Sequence, residues 1–221
     1  MVAQRLSVVV PALNEANGIR AALEALAPLR ARGHEVIVVD GGSTDDTVRI
    51  AFPLADKVLR AGLGRGLQMN AGAQAASGDV LVFLHADTRL PENICIPESA
   101  MWGRFDVEIE GRHPLLKVVA CAMNLRSRLT GIATGDQAIF VRREAFTGFP
   151  EIPLMEDVAF SKAMKRRARP ACLRDTVRTS GRRWESRGVL RTVLLMWRLR
   201  LMYFLGVHPE RLARIYDHRV R

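Results

Sequence analysis

The feature that most constrains the fold is a series of short, almost wholly apolar runs separated by helix-length amphipathic stretches. "LSVVV" (6–10), "EVIVVD" (35–40), "KVLRA" (57–61) and "DVLVFLHAD" (79–87) are rich in β-branched residues. Runs of this length and composition read as strands. A strand with one wet face alternates polar and apolar residues; near-continuous apolar runs belong to strands covered on both faces. Between the first two lies "ALNEANGIRAALEALAPLRARG", where Ile19, Leu23, Leu26 and Leu29 fall at helical spacing. Asn14 or Asn17 would cap this helix, and Pro28 with Gly33 would end it. After the second run Gly41-Gly42 turn the chain into a helix that Ser43 would cap, with Asp46 three residues on. Asp45 and Asp46 are then capping residues rather than site residues. "GRGLQMNAGAQAASG" reads as a glycine loop leading into a helix of small residues. The alternation predicts an α/β fold, a Rossmann-like and mostly parallel sheet with helices on both faces.

In such sheets ligands bind beyond the carboxyl ends of the strands. Polar residues collect there: Asn14 and Glu15 after the first strand, Asp40 after the second, His85 and Asp87 after the fourth. Residues two apart project to the same side of a strand, so His85 and Asp87 face one point if extended geometry persists. The result is a nucleotide-sized cleft with a possible metal site. Asp87 suits a hard divalent cation, and an imidazole at position 85 tolerates Mn²⁺ better than Mg²⁺. A second carboxylate at a helix start, such as Asp157, is suited to take a proton from an incoming hydroxyl.

Beyond residue 100 the pattern changes. "GRFDVEIEG" (103–111) alternates Phe105, Val107 and Ile109 with polar partners and predicts a half-exposed strand. "HPLLKVVACAMNLRSRLTG" reads as a helix, residues 138–141 as a strand, and "LMEDVAFSKAMKRR" as a helix whose first turn carries Glu156 and Asp157. No internal repeat or low-complexity segment interrupts the chain.

The 221 residues are enough for one well-cored domain. Three scattered cysteines, Cys95, Cys121 and Cys172, with no CxxC pair, argue against a disulfide framework or structural zinc and for a reducing compartment. "LSVVV" before Pro11 is too short for a signal peptide, so the expected location is the cytoplasm. The net charge of +10 is uneven: residues 165–221 hold 16 Lys/Arg against 4 Asp/Glu, while the rest of the chain carries −2. That basic quarter calls for an anionic partner such as phosphates, an acidic membrane surface or nucleic acid. No nucleic-acid motif is present and aromatic residues make up only 6%, which argues against nucleic acid. "VLRTVLLMWRLRLMYFL" (189–205) is apolar apart from Arg191, Thr192, Arg198 and Arg200, and three arginines make it a poor membrane span. At helical spacing Arg187, Arg191 and Arg198 share a stripe, with Arg200 on the opposite side. Two readings stand: a helix packed in the core or in a homodimer, and an interfacial helix on anionic lipid with Trp197 and Tyr203 near the headgroups.

"SVVVPALNEA", "VVDGGSTDDT", "GRGLQMNAGAQAASGDVLVFLHADTRLP" and "PLMEDVAFSKAMKR" resemble the serial motifs of the family 2 glycosyltransferases with the GT-A fold, nearly end to end. More narrowly, "LHADT", "WGRFDV", "GDQAIFVRR", "PLMED", "GRRWESRGVLRT" and "YFLGVHPERLARIY" are similar to a bacterial subfamily named for its association with arsenosugar biosynthesis. The resemblance implies an inverting, metal-assisted transferase that moves a sugar from a nucleotide-diphosphate donor, a UDP-sugar, to a small or lipid-linked acceptor, with Mn²⁺ or Mg²⁺ as cofactor. It implies that Pro11, Asn14 and Glu15 line the nucleoside pocket, that Asp40 hydrogen-bonds the base, and that Arg65, Gln68 and Asn70 approach the ribose and diphosphate. The family's metal-binding Asp-x-Asp is present as His85-Ala86-Asp87, with the Ala86 backbone close to the ribose and only Asp87 matching fully. Glu156-Asp157 matches the acidic pair that supplies the general base, with Asp157 favoured. The resemblance makes Trp102, in the acceptor half, an acceptor-binding residue, and Asp136 and Gln137 either hydrogen-bond the acceptor or turn the chain. "GRRW" (181–184) is similar to the family's Gln-x-x-Arg-Trp element with Ser180 at the Gln position, which makes Arg183 either a phosphate clamp or part of a solvated loop. On this reading residues 1–185 form the GT-A domain, with a nucleotide half to about 100 and an acceptor half beyond it. Residues 186–221 form a basic amphipathic helical extension packed on that domain. A nucleotidyltransferase shares a similar sheet but needs a glycine-rich basic loop after the first strand, where "PALNEAN" is acidic; a non-catalytic basic membrane-binding module is the third reading.

Overall fold

A computed structural model describes residues 4–220, with side chains as far as Tyr216. The first strand, β1 (Leu6–Ala12), is buried along its whole length. It is followed by α1 (Ile19–Glu24), α2 (Ala27–Ala31), β2 (Glu35–Asp40), α3 (Thr47–Ala51), β3 (Lys57–Arg60), α4 (Arg65–Ala75) and β4 (Val80–Phe83). Then come β5 (Thr88–Arg89), β6 (Trp102–Glu110), α5 (Leu115–Thr130), β7 (Ile139–Arg142), α6 (Glu156–Lys165), β8 (Ala171–Ser180), α7 (Arg182–Arg187), α8 (Val189–Phe204) and α9 (Pro209–Val220). The strands form one sheet in the order β3-β2-β1-β4-β7-β6-β8-β5. Its first four members run parallel, β7 runs antiparallel to β4 and β6, and β6 and β8 run parallel. This is the mostly parallel α/β sheet that the apolar runs predict.

Alternate residues of each strand enter opposite layers, as the pleat requires. Val8, Val10, Val36, Val38, Val80 and Val82 face one layer together with Phe105 and Phe140. Val9, Ile37, Val39, Leu81 and Phe83 face the other, with Trp102, Phe149 and Phe160. Gly72 lets α4 lie directly on β1: a Cβ there would stand 2.3 Å from Val9 Cγ1. A third, smaller cluster of Met155, Val158, Leu195, Leu199 and Leu212 fastens α8 and α9 to the start of α6. Among the described residues no helix is long and apolar enough to cross a membrane.

Several local expectations are corrected. The helix expected over residues 19–29 is two short ones, because Pro28 carries no amide proton and is tolerated only near a helix start, here in the first turn of α2. Ser43 does not cap α3, which Asp46 precedes; its amide donates to Asp40 and its hydroxyl accepts from the Asn14 amide. The alternation seen in β6 holds only over its second half. Trp102, Gly103, Arg104 and Phe105 are buried because β6 is an interior strand between β7 and β8. β8 carries no strong strand signal, since its apolar residues are diluted by Arg174, Asp175 and Arg178.

Candidate active site

The parallel strands β1, β2 and β4 finish on one edge of the sheet, and two cavities open there. One of about 520 Å³ is lined by Pro11, Ala12, Glu15, Gln68 and Ala86. The other, about 340 Å³, is lined by Gly135, Asp136 and Asp157, by Thr179 and Ser180 at the end of β8, and by Leu195, Leu199 and Arg200 of α8. His85, Asp87, Arg65, Glu156, Arg183 and Tyr216 line both. Asp87 therefore stands where the two chambers meet.

On the β1 side the polar residues divide into those that reach the cavity and those that build its walls. The buried Gln68 donates from Nε2 to the carbonyls of Ala12 and Val39, both at 2.8 Å, and so ties the ends of β1 and β2 together. Asn14 takes the left-handed conformation, φ 53°, which asparagine tolerates better than most residues, and its Oδ1 accepts from the Thr44 amide at 2.9 Å. Asp40 is fully buried and accepts from the Gly42 and Ser43 amides at 3.1 and 3.0 Å. Burial favours its protonated form, but the bonds from Ser43 and Gly42 and the Arg60 guanidinium outweigh that and hold it below the usual aspartate value. Asn70 bonds in both directions with the Phe149 backbone, at 2.9 and 2.7 Å. Asn14, Asp40 and Asn70 thus serve buried loop amides and carbonyls, which need partners, and none of the three is among the residues lining either cavity. Glu15 does line the cavity; burial raises its pKa more than Arg183, 3.4 Å away, lowers it.

On the other side the acids are placed by a strained turn. Met155 adopts φ 69°, a costly conformation for a non-glycine residue, and α6 begins immediately after it. Glu156 is buried 3.7 Å from Arg65, and burial together with the neighbouring Asp157 raises its pKa. Asp157 accepts from the Gly135 amide at 3.0 Å and from the Val158 amide at 2.7 Å, so both carboxylate oxygens are oriented by backbone. Gly135 leaves room for His85: a Cβ there would fall 2.3 Å from its Nε2, so a side chain would have to displace the imidazole. His85 Nδ1 lies 3.2 Å from Asp136 Oδ1. Burial alone would raise Asp136, but the His85 bond and charge, followed by Arg65 and Arg183, bring it down to about 2.

His85 is thus paired with Asp136, while His85 and Asp87 together line both cavities, the common focus that strand alternation predicts. Among the described residues no three acid, imidazole or thiol side chains converge as a cation site. A closed cation cage does not fit these residues. An open site does fit: Asp87 offers carboxylate oxygen at the junction of the cavities, and a hard cation keeps waters and takes its remaining ligands from substrate phosphate.

The expected acceptor residues divide likewise. Trp102 is fully buried, donates from Nε1 to the Ala168 carbonyl at 2.9 Å and packs edge-on against Phe160. It is a core residue, not an acceptor contact. Gln137 is also fully buried; it closes a capping box with Thr134 and donates to Asn124 and Ser127. It turns the chain, and of this set only Asp136 reaches the cavity. Arg183 lines both cavities rather than lying in a solvated loop. Arg200 and Tyr216 also reach the site, although nothing in their sequence neighbourhood distinguishes them from other residues of amphipathic helices.

This mostly parallel α/β sheet, with its cleft at the carboxyl edge, matches the fold of solved GT-A glycosyltransferases. Residues 7–101 match the model of the family described as Glycosyl transferase family 2. A PGL/p-HBAD biosynthesis glycosyltransferase of Mycobacterium bovis (strain BCG / Pasteur 1173P2) is 35% identical over 99 residues, 42% of this chain and 39% of that one. Glucosyl-3-phosphoglycerate synthase of Mycobacterium tuberculosis is 35% identical over 104 residues, 42% of this chain and 32% of that one. The similarity thus spans two fifths or less of the length of these curated relatives. Among solved structures, M. tuberculosis glucosyl-3-phosphoglycerate synthase in complex with Mn²⁺, UDP and glucosyl-3-phosphoglycerate superposes with a TM-score of 0.58 at 21% identity, over 79% of this chain and 71% of that chain. S. aureus TarS 1–349 in complex with UDP-GlcNAc gives 0.61 at 21% identity, over 80% and 58%. At this identity the likeness is one of fold.

Proposed function

We propose that the protein is an inverting glycosyltransferase that moves a sugar from a nucleotide-diphosphate donor, a UDP-sugar, to a hydroxyl of a small or lipid-linked acceptor. The observation that carries this reading is the pair of cavities meeting at Asp87. Gln68, Glu15 and the Ala86 backbone belong to the donor chamber alone, whereas Asp157 belongs to the acceptor chamber alone. Arg65 and Arg183, which line both, are placed to hold a diphosphate at the junction. Asp157 would take the proton of the acceptor hydroxyl as that oxygen attacks the anomeric carbon from the side opposite the departing diphosphate. Its two backbone hydrogen bonds fix its direction, and Glu156 beside it, held by Arg65, fills the floor of both chambers. A divalent cation, Mn²⁺ or Mg²⁺, held by Asp87 and the donor's own phosphate oxygens would neutralise charge on the leaving nucleotide. UDP with Mn²⁺ or Mg²⁺ in complexes of the mycobacterial synthase supports this choice of donor and cofactor. The narrower placement, in the subfamily associated with arsenosugar biosynthesis, rests on the motif resemblance.

α8 closes the acceptor chamber with its buried face and leaves Leu190, Leu194, Trp197, Leu201 and Phe204 exposed on the other. With Arg198 exposed beside that stripe, its chemistry suits the surface of an anionic bilayer, where a lipid-linked acceptor would reside. A panel of UDP- and GDP-sugars followed by thermal shift, with and without Mn²⁺, tests the donor reading. One UDP-sugar should stabilise the protein and release UDP on incubation; stabilisation by none of them would reject it.

A further inference from the structure

We infer that Tyr216 of α9 is a donor-binding residue: its phenol hydrogen-bonds the diphosphate where the two chambers meet, which makes α9 a part of the active site. The inference rests on the glycosyltransferase reading and adds a residue to that site.

Tyr216 lines both cavities, as do Arg65 and Arg183, the two guanidinium groups placed to hold a diphosphate. Ala213, three residues earlier, lines the donor chamber, so α9 runs along that chamber and brings Tyr216 to its end. The Tyr216 side chain is half-buried, and among the described residues no hydrogen bond holds its hydroxyl. A phenol carries one O–H donor, and a phosphate oxygen is the strongest acceptor that this part of the cleft is built to receive. Unlike a third arginine, it adds a directed hydrogen bond without adding charge.

The position of Tyr216 is fixed by the rest of its stripe. Leu212, Ile215 and Tyr216 fall at i, i+3 and i+4 and share one face of α9, while Arg211 and Arg214 are exposed. Leu212 is fully buried and packs with Met155, Val158, Leu195 and Leu199, and Ile215 and Tyr216 lie against the same cluster. Met155 is the residue at φ 69°, and no side chain caps the helix that starts after it. A strained turn persists only where its surroundings hold it, and here the surroundings include Leu212. Leu212 thus fastens α9 to the turn that places Glu156 and Asp157, and Tyr216, one helical turn further on, keeps a set position relative to those acids. A helix that merely covered apolar surface would be served equally well by phenylalanine at 216.

The test titrates UDP with Mn²⁺ into the full chain by calorimetry, with the thermal unfolding midpoint recorded for each variant. Tyr216→Phe keeps the ring and removes only the hydroxyl. It should weaken UDP binding by about tenfold or more, as loss of a hydrogen bond to a charged group implies, with the midpoint unchanged. Tyr203→Phe, a tyrosine of α8 that lines neither cavity, should leave UDP binding within about twofold. Leu212→Ala should weaken UDP binding by releasing α9, and Leu212→Met, which nearly conserves volume, should keep it. UDP affinity unchanged in Tyr216→Phe would overturn the inference. So would a lowered midpoint accompanying weaker binding in that variant, which would make Tyr216 a packing residue of α9. A wild type that fails to bind UDP at all would overturn the glycosyltransferase reading and this inference with it.

Discussion

At the scale of single residues the proposed transfer turns on Asp157. Its carboxylate is aimed by the Gly135 and Val158 amides, and an asparagine at this position keeps an oxygen that accepts from Gly135. Asp157→Asn should therefore keep UDP affinity and lose about 10²–10⁴-fold in transfer, the usual worth of a general base. Steady-state transfer measured alongside UDP titration checks this. Unchanged turnover would move the role to Glu156 or Asp136, and equal loss of UDP binding would make Asp157 a structural residue of the helix start. Asp87, Glu15 and Asp157 were legible in the sequence because a strand end or a helix start settles where such a residue lies. Asn14, Asp40 and Asn70 look the same in sequence, but their oxygens serve loop amides, a demand that is visible only once the loops are folded. Trp102 and Gln137 sit beside motif residues yet point into the core, and adjacency along the chain carries no information about that direction.

At the scale of elements α8 carries two duties. Leu195 and Leu199 bind it to α6 through the third hydrophobic cluster, and the opposite face leaves Trp197 at 68% and Phe204 at 78% exposed. An apolar helical face of that kind needs a cover. Flotation with anionic liposomes should recover the protein at low salt and recover less of it as salt rises, since screening acts over about 8 Å at physiological ionic strength. Replacing Trp197 and Leu201 together with alanine should reduce flotation without disturbing Leu195 or Leu199. Absence of flotation at low salt, with a dimer in light scattering, would make this face a subunit interface. The apolar helix was legible from periodicity, but Arg187 of the expected arginine stripe lies in α7, beyond the break at Gly188. The place of Arg200 in the acceptor chamber was not legible, because it depends on how α8 folds back over the site.

At the scale of the molecule, the near-continuous apolar runs determined the sheet, and β8 escaped notice because its charged residues mask the strand pattern while its partner β6 lies about 70 residues upstream. One buried polar knot ties the parallel half together: Glu35 accepts from the Ser7 hydroxyl at 2.6 Å and meets Lys57 at 2.7 Å, and Ser77 bonds it as well. Burial would raise this carboxyl, but Lys57, Ser7 and Ser77 outweigh it and bring it from 4.5 to about 2. A depressed carboxyl contributes fully above its unfolded value and loses that contribution as pH falls through the folded one. Stability on the order of 3 kcal/mol should therefore disappear between about pH 4.5 and 2. In urea titrations Glu35→Gln should be less stable at neutral pH and show a shallower loss across that window; an unchanged slope would contradict the assignment. The central claim, a donor chamber whose diphosphate end meets the acceptor chamber at Asp87, is tested most directly by calorimetric titration of UDP. UDP should bind with Mn²⁺, lose that binding on adding EDTA and in Asp87→Ala, and keep it in Asp157→Asn; UDP binding indifferent to EDTA and to Asp87→Ala would contradict this arrangement.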